Sequence, residues 1–457
     1  MSASSYGVAY ARDVPISNDA GNTANVPRYS SVYRHVRETS EHIYREIRRQ
    51  EEVRRREILA RQIQTDQSMS IFSRRQTEYD PLNIRLGSFL LEPSISSSFG
   101  HTDNVYETPT NKVSSNIFIK QAGLKIKSDF SNHLLESEFQ VDDGEFINKR
   151  SEDYKDYRVY IGGRVDVTSR FSVPLGLKYS REHAKRDDPD DSDGAKPTVY
   201  SVSSVQSGFK YVGGLLSTIY TAGLSSLSYD DNVTNAGVFI NNHDRNRAEL
   251  TNSLTFSTYE SGRISPFVFV DYRKIKYDDA RDDFNIDRDS HGWGAGVGAK
   301  VTLSGVTSGV IKYGKLSRTF DDPSLEKIDA QFYGVDANWE PTSLLGFNLS
   351  GQRYVDESSL ANTAASINST MGLKVTYEMA PNIYLYPEVG YLVRDYQSTD
   401  DREIDRLTSG VKMTYKMNRN IWSSVSYLNA TQDEERNGVA PTTTNVNTVL
   451  FSLKLQL

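Results

Sequence analysis

From Leu86 onward, the chain alternates apolar and polar residues with a period of two, in segments of roughly 10–15 residues. The alternation is clearest in 293–303, 371–379, 407–416 and 449–457, and every odd-numbered residue of the last segment is apolar. Residues of the opposite parity in these segments are mostly small, polar or charged. A period of two places successive side chains on opposite faces, so the pattern predicts a series of β-strands with one apolar face.

The breaks between these strands are alternately short and long, and the long ones are mostly acidic. Eight short and nine long breaks connect about 18 antiparallel strands, with 16 strands as the nearest alternative. Both ends of the strand series then lie on the short-turn side, as in a transmembrane β-barrel with short periplasmic turns and long external loops. The short breaks are 128–133, 166–170, 211–214, 259–263, 303–308, 339–343, 379–382 and 416–420; the long ones are 101–111, 142–153, 181–197, 230–246, 278–290, 321–326, the stretch after Asp356, 397–405 and 431–445.

Composition favours a membrane barrel over other classes of protein. The chain has 457 residues, of which 37% are hydrophobic and 11% aromatic, with a mean hydropathy of -0.56 and a net charge of -7. The aromatic content excludes disorder for most of the chain, and the lack of cysteine excludes a disulfide scaffold. Uncharged apolar runs such as 267–270 are far shorter than the ~20 residues of a membrane-spanning helix. An all-β transmembrane barrel remains, because only alternate strand residues of a barrel meet lipid.

The first 80 residues differ from the rest of the chain, because they contain 13 Arg, no Lys and 11 acidic residues. We expect a possible signal-peptide remnant at 1–11, a periplasmic arm at 12–80 and the barrel at 81–457. Within the arm, 41–64 contains no Gly or Pro and is rich in helix-forming residues, with Ser40 as a candidate N-cap, so it predicts a helix. A solvated charged helix, a helix that binds a partner or enters the lumen, and a helix on the lipid surface all remain open.

The stretch 79–106 resembles the opening of the putative β-barrel porin 2 family of bacterial outer-membrane proteins. Asn83 stands where that family has Gly, and 182–190 is similar to the third external loop of the family. The resemblance implies a monomeric outer-membrane barrel, often from loci for exopolysaccharide synthesis and export. The residues that carry it are Arg85, Gly87, Ser88, Phe89, Pro93, Gly100, Asp103 and Asn104.

The expected partners follow from this architecture. The alternating strand at 449–457 resembles the signal read by the barrel-assembly machinery, although the chain ends in Leu457 where such barrels usually have an aromatic residue. Outer-membrane lipid and lipopolysaccharide surround the barrel, and 41–64 is a possible contact for a periplasmic export partner. Slight acidity argues against nucleic-acid binding, and no cofactor is expected.

The charged residues of the inward parity are the candidates for a transport surface, because a charged side chain that faces lipid at the membrane midplane costs ~2–4 kcal/mol. On the best-patterned strands, nine bases face inward against four acids, with tyrosines between them. We expect either a basic channel for anionic solutes such as acidic saccharides, or a closed barrel held by internal ion pairs. The candidates are Arg158, Arg164, Lys178, Lys300, Lys312, Lys374, Lys412, Lys416, Lys454, Tyr160, Tyr384 and Tyr386.

The external loops offer two weaker hypotheses. His183, His243 and His291 lie beside carboxylates, an arrangement seen in outer-membrane hydrolases, but no nucleophile motif accompanies them. The acidic run 187–194 does not fit an EF-hand, and its carboxylates are weak candidates for divalent cations. Those candidates are Asp187, Asp188, Asp190, Asp191 and Asp193.

Overall fold

The structure is a computed structural model that describes residues 70–72, 78–186, 188, 194–258, 262–304, 307–360, 363–398 and 401–457. The predicted signal remnant at 1–11, most of the arm and the helix expected at 41–64 lie outside the described residues. In the part of the chain that is described, no helix has the length and apolar character needed to cross a membrane.

Eighteen antiparallel strands form one closed sheet, which confirms the predicted strand number. Each strand pairs with its neighbours along the chain, and the first strand also pairs with the last, from Ser94 opposite Gln456 to Thr102 opposite Thr448. The strands are β1 (Phe89–Thr102), β2 (Ser115–Ser128), β3 (Leu134–Phe146), β4 (Tyr154–Asp166), β5 (Phe171–His183), β6 (Val199–Val212), β7 (Leu216–Tyr229), β8 (Arg247–Thr258), β9 (Ile264–Tyr277), β10 (Ser290–Ser304), β11 (Thr307–Phe320), β12 (Ile328–Thr342), β13 (Leu345–Asp356), β14 (Thr363–Ala380), β15 (Ile383–Ser398), β16 (Glu403–Lys416), β17 (Ile421–Arg436) and β18 (Val439–Gln456).

Three short strands and two turns of 3-10 helix accompany the barrel in the part of the chain that the structure describes. A short strand, Ile84–Leu86, folds back on the start of β1 through a turn in which Gly87 has a φ of 59°. In the loop between β7 and β8, Asn232–Val233 pairs with Phe239–Ile240. Two single turns of 3-10 helix, Arg150–Glu152 and His243–Arg245, complete the loops that contain them.

The two faces of each strand differ in the way that the alternation predicts. On β1, for example, Ile95 and Phe99 are exposed on the outside while Ser96 and Ser98 are buried on the inside. Exposed apolar side chains on an outer face suit contact with lipid, because lipid replaces water around them. Because only every second strand residue faces lipid, only about half of the strand residues need be apolar. This explains the low mean hydropathy of the whole chain.

The loops between the last strands are shorter than the sequence suggests. Strand β15 runs to Ser398 and β16 begins at Glu403, while only Asn437 and Gly438 separate β17 from β18. Gly438 has a φ of 77°, which suits the tight turn of a hairpin. The polar stretch 431–445 was predicted to be a long loop. It contains a hairpin turn instead, and the Asn-Gly pair is the local sequence signal for that turn.

The glycine-rich stretch 292–300 forms part of β10 and accommodates aromatic rings on the inside of the barrel. A Cβ atom on Gly296 would lie 2.7 Å from the Phe269 ring, and one on Gly298 would lie 2.2 Å from the Phe267 ring. These glycines therefore allow two phenylalanine rings of β9 to lie over the neighbouring strand.

Candidate functional site

All twelve predicted lumen residues lie on the inward parity of their strands, the parity opposite to the exposed apolar side chains. Their burial differs greatly along the lumen. Lys374 is the most open of them, because 60% of its side chain is exposed. Buried members are Arg164, Lys178, Lys312, Lys416, Lys454, Tyr160 and Tyr384, and partly buried ones are Arg158, Lys300, Lys412 and Tyr386.

Both predicted arginines form ion pairs with carboxylates of neighbouring inward residues. Arg158 on β4 contacts Glu182 on β5 and lies 3.3 Å from Asp142 on β3. Arg164 binds both carboxylate oxygens of Asp166, at 2.7 and 2.9 Å. Such pairs hold each guanidinium in place on the wall between β3 and β5.

The wall formed by β14, β15 and β16 contains the most open basic surface. Lys374 lies opposite Glu388, 3.7 Å from its carboxylate, and Tyr386 lies opposite Lys412. The ring of Tyr386 stacks on that of Tyr384, with 6.1 Å between the centroids and an angle of 12°. Ammonium groups and stacked phenol rings thus line one stretch of the lumen.

A second cluster lies at the short-turn end of the same wall. The ammonium of Lys416 lies 2.8 Å from a carboxylate oxygen of Asp80 and 4.4 Å from the centroid of the Trp422 ring. Trp422 donates its Nε1–H to the carbonyl of Tyr79, and Lys454 lies over the same indole ring. These contacts fix the chain just before the barrel to the inner wall.

Residues further towards the N-terminus are also inside the barrel. The amide of Ile71 donates a hydrogen bond of 3.0 Å to Glu340 on β12, and only 5% of Ile71 and 1% of Phe72 is exposed. A Cβ atom on Gly346 of β13 would lie 2.3 Å from the Phe72 ring, so the ring lies against the backbone of this glycine. Residues 70–72 therefore dock on the lumen wall at its short-turn end.

The sequence missed many charged residues on the inward parity, and the lumen is more mixed than nine bases against four acids. Strand β9, for example, is apolar on both parities, so its inward Asp271 and Arg273 could not be assigned by alternation. The further inward acids include Glu136, Glu138, Asp142, Asp156, Glu182, Asp271, Asp336 and Glu340, and the further bases include Lys125, Lys127, Lys210, Arg247, Arg273, Arg318, Arg394 and Arg406.

A buried ionic cluster lies at the long-loop end of β8–β14. Arg318 pairs with Glu357, which also accepts a 3.2 Å hydrogen bond from the Tyr277 hydroxyl. Arg273 and Arg247 both contact Glu249, at 2.5 and 3.3 Å. Each charge in this cluster is balanced by its buried partner, so removal of one partner would leave an unpaired buried charge and destabilise the fold.

Asp188, in the connection between β5 and β6, contacts a distant strand of the barrel. Asp188 lies 3.0 Å from the guanidinium of Arg394 on β15, which is on the opposite side of an 18-strand ring. Arg186 anchors the base of this loop through two hydrogen bonds to Glu152, of 2.7 and 2.8 Å. Asp188, one of the candidate cation ligands, thus pairs with an arginine, while Asp187, Asp190, Asp191 and Asp193 lie outside the described residues.

A small cavity of about 110 Å³ lies near the base of the same loop. His183 lines it, with its Nδ1 atom 2.9 Å from a carboxylate oxygen of Asp156 and its ring stacked on that of Tyr154, 4.1 Å between the centroids. Asp156 also accepts the backbone N–H of His183, so these contacts fix the end of β5. His243, in a loop, and His291, at the start of β10, are exposed; the ring nitrogens lie 3.6 Å from Asp231 and 3.8 Å from Asp321, respectively.

The acidic loops are held by local hydrogen bonds. Asp322 accepts hydrogen bonds from the hydroxyl and amide of Ser324 and from the amide of Asp287, and these lower the pKa of its carboxyl to about 2. Burial instead raises the pKa of Asp244. Within the residues that the structure describes, no group of three or more His, Asp or Glu side chains is arranged to hold a metal ion.

A family model described as putative β-barrel porin 2 matches residues 76–457. The chain belongs to this family. The match confirms the resemblance seen at 79–106 and covers every strand of the barrel. The protein is therefore a porin-like β-barrel of the bacterial outer membrane.

Solved structures to which this chain is similar include an outer membrane protein, a porin and a siderophore receptor. The outer membrane protein opdK from Pseudomonas aeruginosa is 12% identical, with 80% of this chain and 99% of that chain covered and a TM-score of 0.42. A BenF-like porin from Pseudomonas fluorescens Pf-5 is 10% identical, with coverage of 80% and 99% and a TM-score of 0.43. The siderophore receptor PirA from Acinetobacter baumannii is 8% identical, with 80% of both chains covered and a TM-score of 0.42. No curated protein matches the chain.

Proposed function

We propose that this porin-like barrel conducts anionic solutes across the outer membrane, and that its substrate is an acidic saccharide linked to exopolysaccharide export. The observation that carries the proposal is the side chain of Lys374, which faces inward and is 60% exposed. An inward side chain with this exposure needs water inside the lumen beside it. An ammonium in such a place attracts anions towards the path.

The neighbouring aromatic residues suit a saccharide. Tyr386 lies on the same inward face as Lys374 and stacks on Tyr384. Aromatic rings offer apolar faces to sugar rings, while their hydroxyls and the nearby Lys412 offer polar contacts. The association of the family with exopolysaccharide loci supports the same class of solute.

Conductance of the full chain in planar bilayers, under a potassium chloride gradient, tests the proposal. We expect an open-channel current whose reversal potential lies closer to the equilibrium potential of chloride than to that of potassium. In Lys374→Glu, the reversal potential should shift towards the equilibrium potential of potassium. Lys315 on β11 is exposed on the outer face, so Lys315→Glu is the matched control and should leave the reversal potential unchanged. A cation-selective current, or equal effects of the two variants, contradicts the proposal.

A closed structural or adhesive barrel is the second candidate. The buried cluster around Glu357 and the pair between Asp188 and Arg394 favour it, because both reduce the open cross-section. The same recordings decide between the two functions: no current at any voltage, also after removal of the arm, supports the closed barrel.

A further inference from the structure

Residues 70–72, which we call the first anchor, are held at the short-turn mouth of the barrel by β12 and β13. The amide of Ile71 binds Glu340 near the end of β12, and the Phe72 ring lies against Gly346 near the start of β13. Both apolar side chains of this anchor are buried. The first anchor therefore cannot leave the mouth without exposing apolar surface to water.

Residues 78–80, which we call the second anchor, are held at the same mouth by β16 and β17. A carboxylate oxygen of Asp80 lies 2.8 Å from the ammonium of Lys416, the last residue of β16. The carbonyl of Tyr79 accepts a hydrogen bond of 3.1 Å from the indole of Trp422 on β17. The same ammonium lies 4.4 Å from the centroid of this indole ring, so acid, base and ring form one unit.

The two anchors lie on either side of β14 and β15. The first anchor binds β12 and β13, the second binds β16 and β17, and the strand order places β14 and β15 between them. These two intervening strands carry Lys374 and Tyr386, which belong to the open basic surface. The anchors therefore flank the short-turn end of the path that we propose for anions.

The exposure of inward side chains on β14 and β15 falls towards this mouth. On β14, the side chain of Lys374 is 60% exposed, whereas the next two inward residues, Thr376 and Glu378, are buried. On β15, Tyr386 is partly buried, whereas Tyr384, which is nearer the mouth, is buried. The end of a strand is nearer to bulk water than its middle, so an empty mouth would show the opposite order. The lumen is therefore open at mid-height and packed at this mouth.

The packing at the mouth includes the second anchor. The Tyr384 hydroxyl donates a hydrogen bond of 3.1 Å to Glu378, and the ring of this tyrosine lies 4.7 Å from the ammonium of Lys416. Lys416 in turn binds Asp80. A continuous set of contacts thus joins the short-turn end of β14 to the second anchor.

We propose that the two anchors regulate the conduit: while both are bound they narrow its short-turn mouth, and their release widens it. This inference rests on the proposed function, because it assigns a regulated end to that path. Release requires the loss of one ion pair, one indole hydrogen bond and the docking of two apolar side chains, while all 18 strands stay paired. Local openings of this kind occur without global unfolding.

The fluorescence of Trp422 tests the proposal, because this indole contacts the second anchor directly. The full chain has three tryptophans, and the changes Trp293→Phe and Trp339→Phe leave Trp422 as the only one. Because Trp422 is buried, it should resist quenching by acrylamide, a neutral quencher whose local concentration does not depend on nearby charge. In the release variant, Phe72→Ala with Asp80→Asn, the quenching constant should rise severalfold.

The matched control is Phe72→Leu with Asp80→Glu, which keeps an apolar side chain and a carboxylate and should therefore keep the low quenching constant. Both variants should retain the electrophoretic mobility of the folded barrel in unheated samples, because neither changes strand pairing. In bilayer recordings, the release variant should have a larger single-channel conductance than the control.

Three results would overturn the proposal: unchanged quenching in the release variant, an equal rise in the matched control, or a rise in quenching with no change in a measurable conductance. The quenching measurement does not depend on ion flow. If quenching rises only in the release variant and no variant passes current, the result supports the narrowing of the mouth and contradicts the proposed conductance instead.

Discussion

The contact between Phe72 and Gly346 provides a sharp test of how the arm is held. Phe72 is 1% exposed, and Phe→Ala at a buried site costs about 3–5 kcal/mol. Because about 1.4 kcal/mol corresponds to a factor of ten, we expect Phe72→Ala to weaken docking of residues 70–72 by roughly a hundredfold to a few thousandfold.

A second variant changes the barrel side of the same contact, at Gly346 on β13. In Gly346→Ala, the new methyl group would lie 2.3 Å from the Phe72 ring and 2.8 Å from a methyl group of Ile71, so the docked segment must shift. Overpacking of this kind costs about 1–3 kcal/mol. In the double variant the closer contact, with the Phe72 ring, is gone and only the contact with Ile71 remains. The two costs should therefore add only in part, with a coupling of up to about 1–3 kcal/mol.

Hydrogen exchange at the Ile71 amide measures this docking directly, because that N–H is buried in a hydrogen bond to Glu340. The internal control is the backbone amide of Lys416, at the end of β16, which donates a hydrogen bond to the carbonyl oxygen of Asn382. This amide should keep its protection in all variants. Unchanged exchange at Ile71 in Phe72→Ala, or strict additivity in the double variant, would refute the reasoning.

Three further predictions concern the loop, the pH and the wall. Asp188→Asn should raise single-channel conductance and anion preference in bilayer recordings, because Arg394 loses a carboxylate at 3.0 Å; an unchanged channel would show that the loop does not narrow the path. The pKa of Asp322 is lowered to about 2, so the stability from its hydrogen bonds is present above about pH 4 and is lost as the pH falls through 2. Pepsin should therefore cleave the loop that contains Asp322 faster at pH 2 than at pH 3. In Asp322→Asn, this difference between the two cleavage rates should disappear. Gly298→Ala places a Cβ atom 2.2 Å from a phenylalanine ring and 2.6 Å from a carbonyl oxygen, whereas the Cβ atom of Gly390→Ala has no neighbour nearer than 3.9 Å. Only Gly298→Ala should lower the unfolding temperature of the barrel, measured by the mobility of heated samples on electrophoresis. Equal unfolding temperatures for the two variants would contradict the packing argument.

The strand number and the lipid-facing residues could be predicted because they depend on a local property. A lipid-facing strand must be apolar at every second position, so a few residues such as Val449 to Leu457 reveal the face and the element together. The eight short turns follow for the same reason. The short final loop at Asn437 and Gly438 was missed because polar strand ends beyond the membrane resemble loop sequence.

The contacts inside the lumen could not be predicted, because they join residues far apart in the chain. Asp188 and Arg394 are separated by 206 positions, and Ile71 and Glu340 by 269. Alternation gives the face of a residue but not its partner on another strand. It therefore located Lys374 and Tyr386 on the inner face without showing that the first is open and others, such as Lys312, are buried.

Strand β9 shows where the rule of apolar outside and polar inside fails, and the failure is informative. Its outward residues include Val268 and Val270, both more than half exposed, while its inward residues include Phe267 and Phe269, both buried. A strand between lipid and water has no reason to be apolar on both faces, whereas a strand whose inner face packs against other side chains of the barrel does. Phe267 and Phe269 belong to a buried cluster that also contains Val310 and Tyr354. The period-two signal is therefore weakest where the inner face is packed and strongest on strands such as β16, where Lys412 is only partly buried.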